Sequence, residues 1–151
     1  MKISSPAFGN GEKIPSKYTC DGQNISPPME ISQVPAGARS LVLIMEDPDV
    51  PKNLRKDGMW DHWVVFNMPA DLQHIAEAVT PPGIEGTGTN GKPGYMGPCP
   101  PDKEHRYYFK LFALDTASLA LDGSATKADV LRAMTDHLLA QTELMGRYER
   151  G

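Results

Sequence analysis

The sequence predicts a mainly β protein: two antiparallel sheets packed as a sandwich, with one helix near the C-terminus. Three observations lead there. Apolar runs of strand length, rich in β-branched and aromatic residues, recur through the chain and end at prolines or polar residues. Gly and Pro number 14 each in 151 residues, against average usage of about 7% and about 5%, and they punctuate the first two-thirds. A helical period occurs in one stretch only, so strands do not alternate with helices as a parallel βαβ sheet requires.

Taken in order, Ser40–Asp47 (SLVLIMED) is a continuous apolar run stopped by Pro48, which suits a strand buried on both faces. His62–Met68 (HWVVFNM), stopped by Pro69, reads the same way, and Arg106–Leu114 (RYYFKLFAL) is a third strand ending at Asp115. Near the C-terminus, Val130, Leu131, Met134, Leu138 and Leu139 recur at spacings of three and four. That period predicts a helix over about 126–140 capped by Ser124 or Thr126. Thr142–Tyr148 is expected to return as a last strand. Thr80–Glu104 carries no strand pattern, and a loop of that length in a small domain tends to be functional. There is no internal repeat and no linker, so residues 1–151 are expected to form one domain.

With 40% hydrophobic and 23% charged residues, the composition is that of an ordinary globular protein. The net charge is −4 and there are no Lys or Arg blocks, which argues against a nucleic-acid partner. The longest apolar run, Leu41–Met45, has five residues, far short of the roughly 20 a membrane helix needs. Met1–Pro6 has no apolar segment of the kind a secretory signal carries, so the expected location is cytoplasmic, a signal removed earlier being left open. Cys20 and Cys99 allow one disulfide at most, and their spacing does not decide whether they meet.

Two nucleotide motifs fail. Gly86-Thr87-Gly88-Thr89-Asn90-Gly91 matches G-x-G-x-x-G, but Pro81-Pro82 precedes it and Pro93, Pro98 and Pro100 follow, where the fingerprint needs a strand and then a helix. Gly86 to Lys92 approaches a phosphate-binding loop, yet Pro93 stands where Ser or Thr must ligate Mg²⁺. No cofactor is expected.

A set of residues at strand ends survives. Asp47-Pro48-Asp49-Val50-Pro51 leaves one strand, Trp60-Asp61-His62 enters the next, and Gly97-Pro98-Cys99-Pro100-Pro101 precedes His105-Arg106-Tyr107 at the start of a third. If these strands pair antiparallel, two His, two Asp, a Trp and a Tyr gather at one rim. Prolines stiffen that rim before any ligand arrives, which lowers the ordering cost of binding. A carboxylate beside an imidazole favours its protonated form, so an Asp–His pair is suited to holding phosphate or carboxylate. The bland alternatives are a turn-forming Asp49, core aromatics at Trp60 and Tyr107, and His74 and His137 on the surface or in the helix. An enzyme is the competing reading: Cys99 as a nucleophile assisted by His105 or His62, or a metal held at the Asp/His rim. Neither shows a recognisable signature spacing, so catalysis is not expected.

The motifs Asp47-Pro48-Asp49-x-Pro51, Trp60-x-His62-Trp63-Val64-Val65-x-Asn67 and Gly94-Tyr95-x-Gly97-Pro98-Cys99-Pro100-Pro101-x-x-x-His105-Arg106-Tyr107 together resemble the phosphatidylethanolamine-binding protein family. Lys17-Tyr18-Thr19-Cys20-Asp21-Gly22 and Asn24-Ile25-Ser26-Pro27-Pro28 are similar to its microbial, Raf-kinase-inhibitor-like branch. The resemblance implies a β-sandwich with a small anion-accepting pocket for phosphate, acetate or a phosphorylethanolamine head group. It implies a pocket of Asp47, Trp60, His62, Gly97, Cys99, Pro100, His105 and Tyr107. It also implies a binding and regulatory role, with a kinase or protease as partner class; a homodimer is compatible with it. Two departures stand out: Asp102-Lys103-Glu104 puts two acidic residues near the pocket, and no extended C-terminal helix follows.

Overall fold

The structure, a computed structural model, describes residues 1–151. Its strands are β1 (Lys2–Ser4), β2 (Met29–Ser32), β3 (Ser40–Asp47), β4 (Trp60–Pro69), β5 (His74–Ile75), β6 (Ile84–Glu85), β7 (His105–Leu114) and β8 (Leu138–Tyr148), with the helix α1 (Lys127–Met134) between the last two. They form a three-stranded sheet, β1-β2-β5, and a five-stranded sheet, β6-β4-β3-β7-β8. All named pairings are antiparallel.

The larger sheet is covered on both faces, which is why its central strands read as continuous apolar runs. On β3, Leu41, Leu43 and Met45 face the small sheet and join the main core with Trp63, Val65, Phe109 and Leu111. Val42 and Ile44 face the other way and pack with Val64, Phe66, Val130 and Met134 under the helix. Every residue of β3 is buried, as the Ser40–Asp47 run predicts.

The helix is shorter than expected. It begins on a capping box, in which the Thr126 hydroxyl accepts from Asp129 N–H and the Asp129 carboxylate accepts from Thr126 N–H. It ends at Met134, followed by a 3-10 turn over Thr135–His137. Of the five apolar positions that predict a helix to residue 140, only Val130 and Met134 are buried. Leu138 and Leu139 belong to β8, where they are exposed. The cause is tertiary: β7 offers a long ladder, and β8 pairs along it from Leu114↔Leu138 to His105↔Tyr148. Asp115 N–H donating to His137 O at 2.9 Å extends the connection. The last strand thus starts four residues before the expected Thr142. In the stretch read as strandless, Ile84–Glu85 pairs with Phe66–Val65.

Candidate functional site

The rim expected at the strand ends is present, and a β-bulge builds it. Along the β3–β4 ladder Met45 pairs with Trp63 but Glu46 pairs with Asp61, leaving His62 as an extra residue. A bulge re-aims a side chain. Trp63 stays in the main core, Asp61 meets Lys127 Nζ at 2.7 Å, and His62 packs edge-on against Tyr107 with ring centroids 5.3 Å apart. Without the extra residue, His62 and Trp63 would point to opposite faces. Asp47 and Tyr107 come from β3 and β7, on the same face as the core residues Met45 and Phe109.

Asp47, Trp60, His62 and Tyr107 line a cavity of about 310 Å³ with Val50, Leu54, Arg55, Met96, Cys99, Pro101 and His105. Asp47, Trp60, His62, Cys99, His105 and Tyr107 are therefore brought together. Gly97 and Pro100 are not in the wall. Gly97 stands behind it, its N–H donating to Asn24 Oδ1 at 2.8 Å, where a Cβ would collide with Tyr18 O. Sequence reasoning missed Val50, Leu54, Arg55, Met96 and Pro101. Val50 and Pro101 lie within the proline-rich motifs, but nothing distinguishes Arg55 from Lys52 and Lys56 beside it. A larger open groove, about 600 Å³ between Lys2 and His74, contains none of the expected site residues.

The two histidines differ in charge state. His62 Nδ1–H donates to Met96 O at 2.6 Å, and burial pulls its pKa down to about 4, so its ring is neutral near pH 7 and Nε2 is an acceptor. His105 is held from both sides: Nδ1 lies 2.6 Å from Asp47 Oδ2 and Nε2 lies 2.7 Å from Asp102 Oδ1. Burial works against its charged form, but the hydrogen bonds and charges of the two carboxylates outweigh it and raise its pKa. Asp47 is raised too, since burial outweighs the His105 contact. We assign the shared proton to the ring, which two carboxylates hold. The expectation of imidazolium donors for an anion is thereby corrected: His62 is neutral, and both His105 nitrogens are engaged.

The other polar atoms sharpen the picture. Trp60 Nε1 is buried and has no hydrogen-bond partner, and Tyr107 Oη is buried beside the Asp47 carboxylate. Burial and the neighbouring Asp47 carboxylate keep Tyr107 protonated, well above the usual phenol range. Asp49 does more than hold its own turn: its carboxylate takes Arg106 N–H, Nε and Nη2 at 2.8, 2.9 and 2.8 Å, clamping the rim to β7. Asp102 reaches the pocket through His105, whereas Glu104 turns away to Arg147.

Cys20 and Cys99 form a disulfide with Cα atoms 5.4 Å apart. It answers the question the spacing left open, and it leaves Cys99 without the thiol that a nucleophilic role would need. No three His, Cys, Asp or Glu side chains are grouped so as to hold a metal ion.

A two-sheet sandwich with a small, partly polar pocket at one rim of its larger sheet defines the structural class. The sequence profile of the family described as phosphatidylethanolamine-binding protein matches residues 4–149. The chain belongs to the phosphatidylethanolamine-binding protein family. Among its relatives are a UPF0098 protein of Chlamydia pneumoniae, 50% identical over 150 residues and 99% of both chains, and one of Methanothermobacter thermautotrophicus, 46% identical over the full length of both. Among solved structures, the homologue CT736 of Chlamydia trachomatis superposes with a TM-score of 0.95 at 48% identity, over 99% of this chain and 97% of that one. E. coli YbcL, described as a member of the mammalian PEBP family, gives 0.89 at 30% identity over 99% and 98%. No helix is long and apolar enough to cross a membrane.

Proposed function

We propose that the pocket binds a small anion and that its occupancy regulates docking to a partner protein, of the kinase or protease class that the family resemblance implies. One observation carries the binding reading: a single cavity at the rim gathers Asp47, Arg55, Trp60, His62 and Tyr107, and the buried donor Trp60 Nε1–H in its wall has no partner within the protein. A buried donor left unsatisfied costs about 1–3 kcal/mol, which an oxygen of a bound phosphate or carboxylate offsets. The volume of about 310 Å³ is at the small end of ligand pockets, fitting a head group or small ion. Its partners in the protein are fixed by a proline-rich loop that is cross-linked through Cys99, so little ordering is needed on binding.

The reading is of a binding module, not an enzyme. The Cys20–Cys99 bond also favours a working compartment oxidising enough to keep it, against the cytoplasmic expectation. Calorimetric titration with phosphate, acetate and phosphorylethanolamine tests the binding reading, on wild type and on Tyr107→Phe, which removes only the hydroxyl. At least one ligand should bind at millimolar concentration or better and lose roughly tenfold in the variant, the worth of one charge-assisted hydrogen bond. Absence of binding by all three overturns it. The regulatory half is tested by inhibition of a protease and kinase panel with and without phosphate; inhibition indifferent to phosphate removes it.

A further inference from the structure

We infer that a second cavity, beside the β4–β6 pair at one edge of the larger sheet, binds a primary alkylammonium group, with the Glu85 carboxylate as its counter-ion. The inference is independent of the anion pocket, and no residue lines both cavities.

The first argument is an acid without a counter-ion. The cavity, of about 250 Å³, is walled by Ile25, Ser26, Trp63, Val79, Glu85 and Tyr95 among others; Glu85 is its one acidic residue, and no Lys, Arg or His lines it. Glu85 is half-buried, and Trp63 Nε1–H donates to its Oε2 at 2.9 Å. That neutral donor fixes the carboxylate without cancelling its charge. None of the ion pairs of the protein includes Glu85. Lys17, next to the Tyr18 whose carbonyl holds Tyr95, is taken by Glu77 at 2.9 Å. A carboxylate drawn out of water without a partner costs free energy, which an incoming cation offsets. The approach to it is open: at Gly94, where φ is +92°, a Cβ would stand 3.7 Å from both Oε1 and Oε2. The missing side chain leaves that space to a ligand.

The second argument is the kind of cation. An ammonium group brings several donors, and Glu85 Oε1 and Ser26 Oγ offer acceptors in one wall. The aromatic side is fixed in advance. Trp63 and Tyr95 meet edge to face with ring centroids 5.3 Å apart, and Tyr95 Oη donates to Tyr18 O at 2.7 Å, so little ordering is needed on binding. Val79 in the wall is 50% exposed, one of few large apolar side chains left in solvent. An alkyl chain on the cation covers it. A bare Ca²⁺ or Mg²⁺ fits poorly, because a single carboxylate falls far short of the six or more oxygens those ions gather. A primary alkylammonium is the group shared by free amines and the lysine side chain.

Titration followed by ¹⁵N NMR tests this, with the Trp63 indole N–H as reporter because it touches Glu85. The chain has two tryptophans, and Trp60→Phe assigns the resonance. The probes, at constant ionic strength, are butylammonium, methylammonium, tetramethylammonium, potassium and an N-acetyl-lysine methylamide. Butylammonium should shift the reporter saturably at millimolar concentration, while tetramethylammonium, which has no N–H, and potassium should bind at least about tenfold more weakly. Glu85→Gln keeps the shape and an acceptor for Trp63, and should weaken butylammonium about tenfold or more. Val79→Ser, at an exposed position where folding is not at stake, should weaken butylammonium and spare methylammonium. Tighter binding of the lysine derivative than of butylammonium would mark a protein side chain as the source of the group, and the reverse a free amine. No saturable shift with either amine, or equal affinity in Glu85→Gln, would overturn the inference. Potassium binding as well as butylammonium would overturn it too, since charge alone would then be read.

Discussion

Replacing both cysteines, Cys20→Ser with Cys99→Ser, opens a covalent loop that spans 79 residues of separation. Freeing a loop of that size returns about 15 cal/mol/K of entropy to the unfolded chain, or about 4.5 kcal/mol at 25 °C. That figure is a ceiling, since measured effects centre on about 2–4 kcal/mol. For 151 residues, an unfolding entropy of about 2.1 cal/mol/K per residue converts 1 kcal/mol into about 3 °C, so the midpoint should fall by about 6–14 °C. The folded state should change little, because the same two segments are also joined by hydrogen bonds. Cys20 N–H donates to Pro98 O at 3.1 Å, Gly97 N–H to Asn24 Oδ1 at 2.8 Å, and Tyr95 Oη to Tyr18 O at 2.7 Å. Urea unfolding followed by circular dichroism is the assay. The double variant should lose about 2–4 kcal/mol and show a larger m, since its unfolded chain is less compact, and reduced wild type should match it. A loss below about 1 kcal/mol with m unchanged would refute the argument that the cross-link acts on the unfolded chain. Loss of anion binding at a temperature where the variant is folded would show that the hydrogen bonds do not seat the pocket loop alone.

The histidines give stability a maximum near pH 6.5. His62, depressed to about 4 by burial, contributes stability that is complete above pH 6.5 and lost as pH falls towards 4, about 3 kcal/mol in all. His105, raised by its two carboxylates against the effect of burial, contributes stability that is complete below pH 6.5 and lost as pH rises through its folded value. Thermal melts from pH 4 to 9 check both limbs: His62→Gln should flatten the acid one and Asp102→Asn the alkaline one, and unchanged limbs would contradict the assignments. Gly97→Ala should weaken ligand binding and stability together, because the new Cβ meets Tyr18 O and Asn24 Oδ1; titration of the folded variant checks it. Leu43→Ala, at a fully buried position in the main core, should cost about 2–5 kcal/mol in urea unfolding. Thr126→Ala, which removes the cap of α1, should cost about 1 kcal/mol in the same measurement.

What the chain discloses and what it withholds divide along the sheet. Strand β3 and the middle of β4 are legible because both faces are covered and the apolar run is long, and β7 is legible through its aromatic and aliphatic residues although Arg106 is exposed and Lys110 half-buried. β1, β2, β5 and β6 are short, from two to four residues, and a half-buried strand of that length leaves too few alternations to detect. The helix over-reads for a related reason: Leu138 and Leu139 fit a helical stripe, and only the length of β7, which lies elsewhere in the sequence, decides that they extend instead. The site follows the same rule. Asp47, Trp60, His62, His105 and Tyr107 sit at strand ends and announce themselves through flanking prolines and aromatics. Arg55 and Met96 reach the pocket from loops, where position depends on turns that no period encodes.

The protonation of the site is the part least available to sequence. An Asp–His pair in a motif invites the inference of an imidazolium aimed at an anion, and the residue types alone cannot say which His receives which carboxylate. The bulge at His62 directs that ring to Met96 O and leaves Asp47 and Asp102 to His105. One histidine is thereby pulled down by burial and held on a backbone carbonyl, the other is raised between two carboxylates, and the arginine of the pocket wall, Arg55, stands outside every motif. A single extra residue in β4 therefore determines both where the polar groups of the rim converge and which histidine meets the carboxylates.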